Sequence, residues 1–135
     1  MRTVAAGIAI VVVVAAVAIG LVMVGSPSEQ RALRLDERRR SSLQTLRTAI
    51  DDYWRTNGRL PESVGDLAKE PRFVSDTKDP VTGREYRYRA VTDRTYQLCA
   101  DFERPSPPDL DVPFWAHPAG TRCFDLEARE RGREP

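Results

Sequence analysis

The chain has 135 residues, and 21 Lys plus Arg against 20 Asp plus Glu leave a formal net charge of +1. Apart from Arg2 the two signs balance, which excludes the broad basic surface of a nucleic-acid binder. One histidine and two cysteines offer few positions for metal or nucleophile chemistry, and the roughly 110 residues beyond an apolar N-terminal stretch suffice for one modest core.

Val4 to Val24 carries no charge and no proline. As a helix it covers roughly 30 Å, the thickness of a hydrocarbon core. It is longer than the apolar region of a signal peptide, about 7–15 residues. Residues 1–25 are therefore read as a transmembrane anchor whose partner is the lipid bilayer. Gly7 and Gly20 lie too far apart for a GxxxG helix contact. Two signals set the orientation in opposite senses. Arg31, Arg34, Arg38, Arg39 and Arg40 follow the anchor, and counted by the positive-inside rule they place the C-terminal part in the cytoplasm. The two cysteines, read below as a pair, place it outside.

Ser26-Pro27-Ser28-Glu29 predicts a helix start, with Ser26 as cap, Pro27 at the first helical position and Glu29 completing a capping box. A second helix is expected from about Pro27 to Asn57. Its apolar stripe is Leu43, Leu46, Ile50, Tyr53 and Trp54, opposite a polar face of Arg47, Asp51, Asp52 and Arg55 that is expected to be solvated. Continuing that stripe backwards meets Asp36, Arg39 and Arg40, so residues 26–42 are expected to form a solvated stalk. Asn57-Gly58 and Pro61 end the helix. Leu60, Val64 and Leu67 then suggest a short helix over Pro61 to Ala68, followed by a loop from Arg72 to Lys78 anchored by Phe73 and Val74.

Asp79-Pro80-Val81-Thr82-Gly83 is a turn signal. Two alternating runs follow, one placing Tyr86, Tyr88 and Ala90 on a face, the other Tyr96, Leu98, Ala100 and Phe102. They predict an antiparallel hairpin with one apolar side, the natural cover for the helix stripe. Arg104 to Pro118 is a proline-rich loop. Arg122 to Leu126 alternates again, with Phe124 and Leu126 inward and Cys123 outward. Cys99 is outward by the same phase, so a Cys99–Cys123 disulfide is expected. The folded domain is thus read as residues 43–126 and a flexible tail as 127–135.

Site chemistry is sparse. His117 lies between the cysteines in sequence, but neither a metal-binding spacing nor a complete nucleophile–base set can be read. No catalytic residue, cofactor or firm metal site is expected, and the chain is not read as an enzyme. Asp109 and Asp111 are weak calcium candidates. Phe114 and Trp115 are either loop anchors over the core or a partner patch.

The order of elements resembles that of type IV pilin-like proteins, above all the major pseudopilin of type II secretion. Ala49-Ile50-Asp51-Asp52-Tyr53 followed by Asn57-Gly58-Arg59-Leu60-Pro61 is similar to the end of that family's long helix. Asp79-Pro80, Gly83, Tyr86 and Tyr88 resemble its DP-W-G-x-x-Y-x-Y entry to the sheet, with Val81 where tryptophan is usual. The likeness covers about Leu43 to Phe102. A recognisable prepilin cleavage motif is lacking, since Gly7 is followed by Ile8 and an apolar run with Val12 where glutamate is usual. The resemblance implies an α+β fold, a long amphipathic helix packed on a small antiparallel sheet. It also implies a single-pass protein of the bacterial inner (cytoplasmic) membrane with its C-terminal domain periplasmic or otherwise extracytoplasmic. Such a protein would act through contacts with envelope or secretion proteins, including copies of itself. Two other readings stay open: a cell-surface binding module using loop 105–118, and a membrane-tethered cytoplasmic adaptor.

Overall fold

A computed structural model of the chain describes residues 2–24, 26–67, 69, 77–108, 110 and 112–129; within the first helix it describes the side chains at 4 and 6–20. The chain divides into two compact units, 1–32 and 33–135.

The first unit contains helix α1, Arg2–Val24, and the first turns of helix α2, Pro27–Asn57. The described side chains of α1 are apolar or glycine, and all are exposed. Their unbroken run covers only residues 6–20, about 22 Å of helix. Among the described residues no helix is long and apolar enough to cross a membrane. The expected box opens α2: Ser26 Oγ accepts from Glu29 N–H at 3.3 Å, and Ser26 N–H donates to Glu29 Oε2 at 3.4 Å.

In the second unit α2 ends where its sequence says it should. Gly58 takes φ +69°, a conformation open to glycine, and its N–H donates to the Trp54 carbonyl at 2.8 Å. A single turn, α3, follows at Val64–Leu67. It is shorter than expected because Ser63 N–H donates to Asp66 and starts the turn only there, while the Pro61 carbonyl is held outside it by the Tyr88 hydroxyl at 2.9 Å. Ala68 and the expected loop anchors Phe73 and Val74 lie outside the described residues. The chain then enters a three-stranded antiparallel sheet of order β1-β2-β3, with β1 at Arg87–Ala90, β2 at Thr95–Phe102 and β3 at Gly120–Glu127.

Strand phase is as read. Tyr96, Leu98, Ala100 and Phe102 of β2 and Phe124 and Leu126 of β3 are buried, and they join Leu43, Leu46, Ala49 and Ile50 of α2 in one core. Each large apolar side chain fully buried there contributes about 1.5–3 kcal/mol. On the outer sheet face Cys99 lies directly opposite Cys123, and the two are joined as a disulfide. This closes a loop of sequence separation 24, which the chain-entropy relation equates with roughly 3.5 kcal/mol.

Three expectations need correction. Asp36 and Arg39 are not solvated; each is only 4% exposed, so α2 already packs in the stretch read as a stalk. Polar partners replace apolar ones there, as described below. The polar face of α2 is half-buried at Arg47, Asp51, Asp52 and Arg55. Finally, the tail does not loosen at residue 127. Ala128 joins the core, its N–H donates to the Arg94 carbonyl at 2.8 Å, and Arg129 N–H donates to Asp51 Oδ1 at 3.1 Å. Residues 130–135 lie outside the described residues.

Candidate functional site

The most elaborate polar arrangement in the second unit centres on Arg39. Its Nε donates to Asp79 Oδ2 at 2.6 Å, and its Nη1 to Asp36 Oδ1 at 2.7 Å and Glu103 Oε1 at 3.3 Å. Asp36 also accepts from the backbone N–H groups of Glu103 at 3.0 Å and Arg104 at 2.8 Å. The sequence builds this cluster locally. Asp36 and Arg39 are one helical turn apart, which lets them pair. Asp79 is fixed by its own turn: its Oδ1 accepts from Val81 N–H at 2.9 Å and Thr82 N–H at 2.8 Å, and its carbonyl accepts from Gly83 N–H at 2.9 Å. Gly83 supplies the positive φ of +67° that closes the turn. Burial pushes the Asp79 carboxyl up. The Arg39 guanidinium and the Thr82 and Val81 N–H groups outweigh that and hold it below the usual carboxylate range.

Beside the cluster opens a groove of about 220 Å³. Arg39 lies at the groove, with Asp79, Thr82 and Arg84 from the turn and Cys99, Ala100 and Asp101 from β2 around it. It forms because the β1–β2 ladder stops at Arg87↔Cys99, whereas β2 runs on to Phe102, paired with β3 alone. Asp101 is held by Arg87 Nη2 at 3.0 Å and by the Thr121 hydroxyl.

The proline-rich loop is tied down at both ends. Ser106 N–H donates to the His117 carbonyl at 2.9 Å, and His117 N–H donates to Ser106 Oγ at 2.8 Å. The His117 ring stacks on Phe102, centroids 3.5 Å apart and planes 13° apart, with Nδ1 3.2 Å from the Pro118 carbonyl oxygen. Burial holds this imidazole below its ordinary pKa, against the pull of that carbonyl. Trp115 is 3% exposed and packs against Phe124 at 4.8 Å, while Phe114 is 49% exposed. Trp115 is thus a core anchor, and of the two aromatics only Phe114 is presented to solvent.

Of the residues read as sites, the structure joins Cys99 to Cys123, which removes both thiols from nucleophile or metal chemistry with His117. Asp109 and Asp111 lie outside the described residues. No group of three or more His, Cys, Asp or Glu side chains is placed for a metal among the described residues. Sequence reading missed the Arg39 cluster and its groove. The available signal was the position of Asp36 and Arg39, seven and four residues before Leu43 on the buried stripe, with opposite charges three apart. No known protein family, curated protein or solved structure matches this chain.

Proposed function

We propose that this chain is a single-pass, membrane-anchored protein whose α+β domain, built on a pilin-like plan, works outside the cytoplasm through contacts with other proteins. The observation that carries the reading is the state of α1. Nine valines and isoleucines among its described side chains are 56–67% exposed. Transfer of that surface to lipid is worth roughly 10 kcal/mol. The α1 backbone is helical over 23 residues, about 34 Å of axial length against a hydrocarbon core of about 30 Å. The disulfide supports the same compartment, since such bonds persist where the environment is oxidising. The charged groove and Phe114 offer contact surface for a partner.

Carbonate extraction of membranes, combined with thiol labelling of intact cells, tests the reading. The chain should remain in the membrane pellet, and Cys99 and Cys123 should label only after reductant and denaturant. Release of the chain into the supernatant would refute the anchor. Free labelling without reductant would refute the compartment and favour a cytoplasmic adaptor, the side that the arginines after α1 indicate.

A further inference from the structure

Charge is spread unevenly along the chain. Residues 27–50, most of α2, hold six arginines against three acids, in a chain whose net charge is +1. Those three acids are all engaged. Asp36 is buried against Arg39, and Glu37 accepts three hydrogen bonds from Arg40, at 3.0, 2.6 and 2.8 Å. Glu29 Oε2 accepts from the Ser26 N–H at the start of the helix. No further acid follows Glu37 on α2 until Asp51.

Arg31, Arg34 and Arg38 are left over. All three are exposed, and none has a side-chain partner among the described residues. Their i, i+3, i+7 spacing sets them in one line about 10 Å long, away from the side of the helix that buries Asp36, Arg39 and Leu43. Ser42 and Thr45 continue the line, so this face offers charge and hydroxyl groups. Such a face adsorbs through charge rather than by insertion of apolar side chains. Connectivity decides which negative charges it meets. Only residues 25 and 26 separate α1 from α2, and a face tethered to a bilayer meets the headgroups at high effective concentration. Guanidinium groups also suit phosphate, which accepts two parallel N–H bonds from each.

We propose that the Arg31–Arg34–Arg38 face of α2 binds the phosphate headgroups of anionic lipids in the membrane that holds α1. The proposal rests on the membrane-anchored reading, and adds the class of lipid and the residues that recognise it. Each arginine near an anionic surface improves binding about fivefold, and the effect fades beyond a Debye length, about 10 Å at 0.1 M salt.

The test places the full chain, isotopically labelled, in phosphatidylcholine nanodiscs in which the share of phosphatidylglycerol is raised stepwise. The arginine Nε–H signals of residues 31, 34 and 38 should move as phosphatidylglycerol is added. They should return as salt is raised to about 1 M, where the Debye length is about 3 Å. R31Q, R34Q and R38Q should each weaken the response about fivefold, and the triple variant should abolish it at the backbone amides of residues 31–38. R31K/R34K/R38K should retain it, because a lipid surface attracts the charge itself, and R59Q should leave it unchanged. The three side chains are exposed, so unperturbed amides in the rest of the domain report that each variant has folded. The proposal is overturned if the arginine signals ignore phosphatidylglycerol, if the shifts survive high salt, or if the triple glutamine variant responds as wild type. Shifts produced by polyglutamate but not by phosphatidylglycerol overturn it in favour of an acidic protein partner. A chain that fails to insert into phosphatidylcholine discs overturns the anchored reading itself, whereas an inserted chain with silent arginines overturns the lipid contact alone.

Discussion

Replacing Arg39 by methionine isolates what the buried cation does. The substitution keeps much of the side-chain volume and removes two short hydrogen bonds, at 2.6 and 2.7 Å, to carboxylates that stay where they are. Asp36 is 4% exposed and cannot recover water without opening the contact between α2 and residues 103–104. Breaking a buried pair from one side costs about 3–5 kcal/mol. Asp36 and Asp79 each keep two backbone N–H donors, which places the expected loss near the lower end, about 3 kcal/mol. That is a large part of the roughly 5–15 kcal/mol typical of a domain. Equilibrium urea unfolding followed by tryptophan fluorescence measures it, and adding Asp36→Asn to the variant should restore about 1 kcal/mol by removing the stranded charge. The Asp79 carboxyl is held below its unfolded pKa, so its share of stability is complete above about pH 4 and is lost as pH falls through the folded value. The gap between wild type and variant should therefore narrow in acid. A loss under about 1 kcal/mol at neutral pH, or a gap that widens on acidification, would refute the reasoning.

Tyr96 is 1% exposed and its hydroxyl has no hydrogen-bond partner among the described residues; Tyr96→Phe should leave stability unchanged or raise it by up to about 1 kcal/mol, read as a higher Tm. The double variant Cys99→Ser/Cys123→Ser should lose roughly 3.5 kcal/mol, and reductant should produce the same loss in wild type but none in the variant. Burial lowers the His117 pKa on folding, so its contribution is present above the unfolded value near 6.5 and declines as pH falls below it. Stability should drop between about pH 7 and pH 5, and His117→Phe, which keeps the stack on Phe102, should flatten that slope. Gly58→Ala meets no atom within 4 Å, so its cost of about 1 kcal/mol should come from the backbone at φ +69° alone, and Gly58→Asn should cost less.

Much of the architecture was legible because it rests on short-range rules. Period-two alternation put Tyr96, Leu98, Ala100 and Phe102 on one face and Cys99 on the other, and the disulfide follows from that phase. Ser26 and Glu29 announced the start of α2, and Gly58 its end. The Arg39 cluster escaped because apolar periodicity treats a charge on the stripe as the end of packing. Here two carboxylates and two backbone N–H groups, brought in from residues 79 and 103–104, make a charged position buriable. Partners 40 and 64 residues away leave no local trace. The same holds for the groove, which exists only because two strands of unequal length end at different places. Trp115 and Phe114 are adjacent and chemically alike, and only the turn at Pro113–Trp115 decides which of them points inward.

The Cys99–Cys123 bond has a consequence for how the protein breaks. It joins β2 to β3 on either side of the exposed loop that holds Arg104. A protease that cuts within this loop therefore severs the chain without releasing a piece of it. Both fragments stay covalently attached, and β3 remains in its ladder beside β2. Nicked and intact molecules would run together on a non-reducing gel and separate only after reduction. The loop can thus be cut while the sheet, and the groove at its margin, stay assembled.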